Sequence, residues 1–312
     1  MLELSSLAPS NHARDAGCLR VEPDGFRSNF DLEPFGFSHG LSSLSAFKFA
    51  ELQSLAERYA KYPGEFFVSA GAKSAATDFN AVPSGGCTPA EAMARMGTDS
   101  VRLLLKRPER LDSRFRELLE DLFAEIIALR GGLRGERLVR LESGIFITSA
   151  AAVTPFHFDP EIAFFSQIEG EKIYHVYSPS VLSESELENF YLNGMVSIGQ
   201  VELAKCDATR EHIFHLRAGM GLHQPQNAPH WVETLATRSI SYSLVFETDA
   251  SRARCRARAF NHYARKLGIA PQAVGSHPSR DAIKAKTMRI VIPLRNRIRA
   301  KLRAVGLAPR AA

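Results

Sequence analysis

Thr154-Pro155-Phe156-His157-Phe158-Asp159 is the stretch on which the reading of this chain turns. In an extended strand alternate side chains share a face, so His157 and Asp159 point the same way while Phe158 turns into the wall behind them. A histidine and a carboxylate presented together need one more histidine, from a distant strand, to make a two-His, one-carboxylate triad. Such a set holds ferrous iron on one face and leaves its other positions open for oxygen and a chelating co-substrate. His230, in Ala228-Pro229-His230-Trp231-Val232, is the candidate third ligand. A His-x-Asp triplet on its own arises often by chance, so the surroundings decide. The triplet follows an apolar strand-like run, Gly144-Ile145-Phe146-Ile147-Thr148. A second run, Phe164-Phe165-Ser166-Gln167-Ile168, ends in the turn signal Glu169-Gly170 and leads to Lys172.

Lys172, Tyr174 and Val176 fall on one face of a strand predicted over 172–177. A lysine turned into a core needs an anion, because a buried charge is costly unless paired. A dicarboxylate that chelates the metal at one end and is gripped by the ammonium at the other satisfies it. The plainer alternative is a solvent-facing lysine at the start of a strand, the usual place for lysine.

Taken as a set, Thr-Pro-Phe-His-Phe-Asp at 154–159, Phe-Phe-Ser-Gln-Ile-x-Gly-x-Lys at 164–172 and Pro-His-Trp-Val-Glu at 229–233 resemble the JmjC or cupin-like group of iron(II) and 2-oxoglutarate-dependent oxygenases. The likeness covers about residues 142–246. It implies a mainly β fold, a double-stranded β-helix or jelly roll with iron inside, and a dioxygenase that hydroxylates a substrate while releasing succinate and CO2. Carried over position by position, it makes His157, Asp159 and His230 the metal ligands. Thr154 and Lys172 become the holders of the distal carboxylate of 2-oxoglutarate. Two positions depart from the pattern: Ala163 and Val245 stand where asparaginyl hydroxylases of the group carry asparagines near the iron. The alternative that this leaves is a non-catalytic cupin-like module that binds a metal or a ligand. The substrate, a small molecule or a protein side chain, is not identified by the motifs.

Around these residues the expected pocket includes Phe165, Gln167 and Tyr174. Ser239, Ser241 and Ser243 alternate with Ile240, Tyr242 and Leu244, so one face of that strand is polar and Ser241 and Ser243 line the cavity. His223 is a rival: a fourth metal contact, a substrate-side acid or base, or a hydrogen-bonded wall histidine. Trp231 alternates away from the metal into the core, and His175, His212 and His215 have no partner pattern.

The chain of 312 residues is 45% hydrophobic and 23% charged, the composition of an ordinary soluble protein with a sizeable core. Cys18, Cys87, Cys206 and Cys255 show no CxxC spacing, which fits a reducing cytoplasm. The first residues lack an apolar run of signal-peptide length, and no stretch approaches a membrane span. The net charge of +5 is uneven: residues 251–312 hold 16 Lys and Arg against Asp281 alone, leaving 23 basic and 33 acidic residues before them.

Three regions are predicted. Residues 1–135 form an N-terminal helical and strand support, beginning with a loosely packed lead-in to about residue 25. Its helices run through Leu52-Leu55-Ala56-Tyr59, from Thr88-Pro89-Ala90-Glu91 to Met96, and from Asp112 or Ser113 to Gly131. Phe35-Gly36-Phe37-Ser38 reads as an edge strand or an anchored loop, and Pro83-Ser84-Gly85-Gly86 as a loop. Residues 136–250 form the β-helix core, with a short helix near Ser183 to Asn189. Residues 251–312 form a basic helical tail, with apolar positions such as Phe260, Tyr263, Ile298, Leu302 and Val305 at helical spacing. Basic amphipathic helices of this kind bind nucleic acid, an anionic membrane or an acidic partner protein, or lie on the acidic body of the same chain or on a second subunit in a homodimer.

Overall fold

The computed structural model describes residues 19–304 apart from 73, 80, 81, 83–85 and 194–197. Most of the expected lead-in, the loop residues Pro83 to Gly85 and Val305 lie outside the described residues. The strands are β1 (Phe35–Ser38), β2 (Phe66–Ala70), β3 (Val101–Lys106), β4 (Leu138–Thr148), β5 (Val153–Phe158), β6 (Ile162–Glu169), β7 (Lys172–Tyr177), β8 (Gly199–Gln200), β9 (Glu211–Leu216), β10 (Met220–Gln224), β11 (His230–Thr234) and β12 (Ser239–Thr248). The helices are α1 (Pro23–Asn29), α2 (Phe49–Tyr59), α3 (Pro89–Ala94), α4 (Ser113–Arg130), α5 (Glu184–Phe190), α6 (Asp249–Lys266) and α7 (Pro278–Ala304).

The described residues from 19 to 181 and from 200 to 247 form one compact unit, and those within 182–199 and 248–304 form a second. The first unit carries two sheets, in the orders β1-β10-β6-β12-β4-β3-β2 and β8-β5-β11-β7-β9. Strand alternation sorts the larger sheet into two faces. Leu103, Leu105, Ile145, Ile147, Phe164, Tyr242 and Leu244 pack beneath Leu52 and Leu55 of α2 and Leu118, Leu119 and Leu122 of α4 in the main core. On the opposite face, Phe165, Leu222 and Phe146 meet Tyr174, Val176, Leu216 and Val232 of the smaller sheet. The gap between the sheets is therefore lined by the residues that sequence alternation turns away from the helices.

The flanking helices follow local chemistry. Thr88 and Glu91 form the expected reciprocal cap at the start of α3. Asp112 caps α4, and Gly131, at φ +84, ends it in a left-handed turn. Two features differ from the sequence reading. Val139–Leu141 and Ile145–Thr148 are one continuous strand, because Gly144 stays extended opposite Lys106. Beside the expected edge strand β1, the N-terminal region supplies β2 and β3, which the sequence reading did not pick out, and α1 already begins at Pro23 within the expected lead-in.

In the second unit the helix expected near Ser183 is α5, opened by a Ser183–Glu186 capping box, and it groups with the tail helices. Arg258 pairs with Glu184 at 3.0 Å and Arg265 with Glu188 at 2.7 Å. The basic tail thus neutralises part of its charge on acids of its own chain. No helix among the described residues is long and apolar enough to cross a membrane.

Candidate metal centre

His157 on β5 and His230 on β11 are direct cross-strand partners, and their rings lie 4.2 Å apart, centre to centre. The pairing shifts by one residue between His230 and Val232, so that Val232 faces Thr154. This bulge decides the site's layout. Thr154 and His157 are three residues apart and would point to opposite faces of a regular strand; the extra residue returns both to the inner face. Asp159 follows β5, its carbonyl accepting the Asn227 N–H at 2.9 Å, and this ties the ligand-bearing end of β5 to the segment leading into β11. Asp159 Oδ2 lies 3.9 Å from His157 Nε2 and 3.8 Å from His230 Nε2. Among the described residues these three side chains are the one group of His, Cys, Asp and Glu whose ligand atoms all fall within 4.8 Å of one another.

The donor set fits a metal ion. Each histidine holds the carbonyl two residues before it: His157 Nδ1 lies 2.7 Å from Pro155 O, and His230 Nδ1 lies 3.0 Å from Ala228 O. A carbonyl can only accept, so Nδ1 carries the hydrogen and Nε2 presents its lone pair to the centre of the group. Burial depresses the pKa of both rings, and the second histidine depresses His157 further. Both are therefore neutral, as ligands must be. Burial raises the Asp159 carboxyl, with His230 and Gln224 pulling it back down. Atoms 3.8–3.9 Å apart can each sit about 2.1 Å from a shared ion, since that separation is below twice the bond length.

Lys172 points from β7 into the gap and donates to Ser241 Oγ of β12 at 3.0 Å. Its ammonium also lies 5.4 Å from the centre of the Phe165 ring. Burial, with the Arg102 charge as a second cause, lowers its pKa to about 7. Ser241 donates in turn to Gln167 Oε1 at 2.8 Å, and Gln167 Nε2 donates to Glu169 O and to Ser239 Oγ. Ser243 shares this face, opposite Phe165. Tyr174 stacks on His230 with ring centres 5.3 Å apart, and its hydroxyl donates to Gln224 Oε1 at 2.6 Å. Ala163 and Val245 sit opposite each other on the same inner face, with Gln224 on the other side of Ala163.

His223 is not in this cavity. Its neighbour Leu222 faces the second sheet, so alternation turns His223 to the helix side, against Phe30, Phe35 and Phe164. There its Nδ1–H donates to Ala163 O at 3.1 Å, and its Nε2 accepts the Asp31 N–H at 3.0 Å. Burial drops its pKa to about 3, and the ring is a neutral wall residue with both nitrogens used. Three cavity residues escaped the sequence reading. Gln224 accepts the Tyr174 hydroxyl at Oε1 and turns its buried Nε2 donor toward Asp159. Phe79 lies against the His157 ring at 4.6 Å, and Arg102 of β3 lies over Phe79 at 5.7 Å.

No protein-family model and no curated protein sequence matches the chain. Solved structures do. The X-ray structure of E. coli ycfD is 15% identical, with 89% of this chain and 69% of that chain covered and a TM-score of 0.52. A structure of YcfD, described as a ribosomal oxygenase from Escherichia coli, in complex with cobalt and 2-oxoglutarate is 16% identical over 88% of this chain and 68% of that one, with a TM-score of 0.49. The chain shares the fold of E. coli ycfD, two antiparallel sheets facing each other as a jelly roll.

Proposed function

We propose that this protein is an iron(II) and 2-oxoglutarate-dependent oxygenase that hydroxylates a small molecule or a protein side chain. The observation that carries this reading is the convergence of His157 Nε2, Asp159 and His230 Nε2 in the gap between the sheets, which the buried Lys172 ammonium also enters. Two imidazoles and one carboxylate occupying a single face of an ion are the donor set of the non-haem ferrous oxygenases. The fold shared with E. coli ycfD supports the same reading. Bound there, ferrous iron supplies the oxygen activation that couples oxidation of the co-substrate to hydroxylation of a C–H bond.

The chain's own residues have distinct tasks. Pro155 O and Ala228 O fix the tautomer and direction of the two histidine ligands. Lys172, with Thr154 on the neighbouring inner face, holds the distal carboxylate of 2-oxoglutarate, and Ser241 positions the ammonium. Phe165, Tyr174, Val176, Leu222 and Val232 exclude water around them.

Anaerobic titration with iron(II) and then 2-oxoglutarate tests the proposal. A visible metal-to-ligand charge-transfer band in the wild type, lost in Asp159→Ala and weakened in Lys172→Ala, is expected. Iron binding without a band, and no succinate under any condition, would favour a second reading: a ligand-binding module in which the apolar Ala163–Val245 pair has cost the productive geometry.

A further inference from the structure

We infer that Arg102 is a second cationic grip on the co-substrate, so that one distal carboxylate bridges the Arg102 guanidinium and the Lys172 ammonium. This inference rests on the 2-oxoglutarate reading and adds to it a residue from a strand that carries none of the motifs.

Placement comes first. Val101, Leu103 and Leu105 of β3 belong to the core beneath the helices, so Arg102 is turned to the opposite face, toward the second sheet. Its cross-strand partner is Thr148 of β4. Thr148 Oγ1 lies 2.9 Å from Thr234 Oγ1 of the other sheet, and Thr234 is the cross-strand partner of Lys172. Arg102, Thr148, Thr234 and Lys172 are thus successive neighbours across both sheets, with two hydroxyls between two cations. The positive charge of Arg102 bears on both Lys172 and His157, which puts it beside the cavity that both enter.

Charge comes second. Among the described residues Arg102 has no carboxylate partner; the contact it makes is with the face of Phe79. Among the described residues the Lys172 side chain likewise meets Ser241 and the Phe165 ring and no carboxylate. Two like charges near each other in a poorly solvated gap raise each other's energy, and burial already lowers Arg102 to about 10. Structural stability gains nothing from such a pair, because apolar residues of similar volume would serve better. A carboxylate relieves both charges at once. The guanidinium offers a planar fork to its two oxygens, whereas the ammonium is a point donor that approaches from another side. The ligand class that follows is a 2-oxo dicarboxylate, with monocarboxylic 2-oxo acids rejected for want of the second charge.

The test compares 2-oxoglutarate with 2-oxobutyrate, which has the same chelating end and no distal carboxylate, by anaerobic calorimetry on the iron(II)-loaded protein. The wild type is expected to prefer 2-oxoglutarate strongly. Arg102→Gln should weaken 2-oxoglutarate by roughly 10–100-fold and leave 2-oxobutyrate unchanged, the loss expected for a charge-assisted hydrogen bond. Arg102→Lys should fall between the two, and it carries the test if the glutamine variant does not fold. Unchanged preference in both variants, or equal loss of both ligands, overturns the inference while leaving the co-substrate reading in place. A wild type that does not distinguish the two ligands overturns the co-substrate reading itself, and the inference with it.

Discussion

Lys172 Nζ crosses the gap between the two sheets to donate to Ser241 Oγ at 3.0 Å, and no carboxylate among the described residues answers its charge. The groups behind Ser241 are neutral as well: Gln167 accepts from it, and Ser239 and two backbone carbonyls accept from Gln167. The network holds the ammonium in position without neutralising it. The free protein therefore bears an electrostatic cost that a bound anion removes.

Lys172→Met is expected to stabilise the ligand-free protein near neutral pH. The Lys172 pKa falls from 10.5 to about 7 on folding, so between those values the unfolded chain holds a proton that the folded chain releases. The cost of this lysine is full below pH 7, shrinks as pH rises, and is gone above 10.5. The methionine variant should gain on the order of 2–4 kcal/mol at pH 7 and lose that advantage toward pH 10. Urea unfolding across this range measures it, and an equal or lower stability of the variant at pH 7 counts against a charged, unpaired lysine.

Binding of 2-oxoglutarate should draw a proton from solution on the alkaline side of neutrality. With a pKa of about 7, Lys172 is mostly neutral at pH 8 in the free protein. An opposite charge at contact distance restores the ammonium. Calorimetry at pH 8 in two buffers of different ionisation enthalpy should report uptake approaching one proton, and the same experiment at pH 6 almost none. Affinity should accordingly weaken as pH rises above 7. Absence of uptake at pH 8 would show that the carboxylate lies elsewhere.

Strand alternation made much of this site legible in the sequence. It put His157 with Asp159, and Lys172 with Tyr174 and Val176, on shared faces, and the structure has the same sharing. Thr154 was different: only the family likeness named it, because its place beside His157 depends on a bulge that no periodicity announces. Arg102 was hidden because Val-Arg-Leu-Leu-Leu-Lys breaks strict alternation at Leu104, so the segment did not read as a strand. Gln224 was overlooked because its role depends on Tyr174 reaching it from the other sheet, a non-local contact. His223 was drawn toward the pocket by its nearness in sequence to His230, whereas the pleat sends it to the helix side.

His230→Ala and His223→Ala should therefore separate cleanly. The first removes a proposed ligand and should abolish measurable iron(II) binding while leaving most of the fold's core untouched. The second leaves the triad intact but deletes a buried ring that satisfies two backbone groups and packs on three phenylalanines. A loss of about 2–4 kcal/mol of stability is expected from the vacated volume and the two orphaned groups. Iron titration and chemical denaturation on both variants give the answer; weakened iron binding in a folded His223→Ala would return that histidine to the site.

Gly170→Ala tests whether the β6–β7 turn sets the co-substrate end of the cavity independently of the metal end. Gly170 sits at φ +74, and a Cβ there would collide with the Arg238 carbonyl. Left-handed backbone alone costs a non-glycine residue about 1–3 kcal/mol, and the collision forces the turn away from the start of β12. Gln167, three residues before the turn, and Lys172, two residues after it, meet at Ser241, so a shifted turn pulls both from their common partner. The proposed metal ligands lie on β5, just after it and on β11, whose mutual register this turn does not set. The variant should melt earlier and bind 2-oxoglutarate roughly tenfold or more weakly, the loss of one charged hydrogen bond, with iron(II) affinity near that of the wild type. If iron and 2-oxoglutarate weaken in step, the two ends of the cavity move as one body and are not set independently.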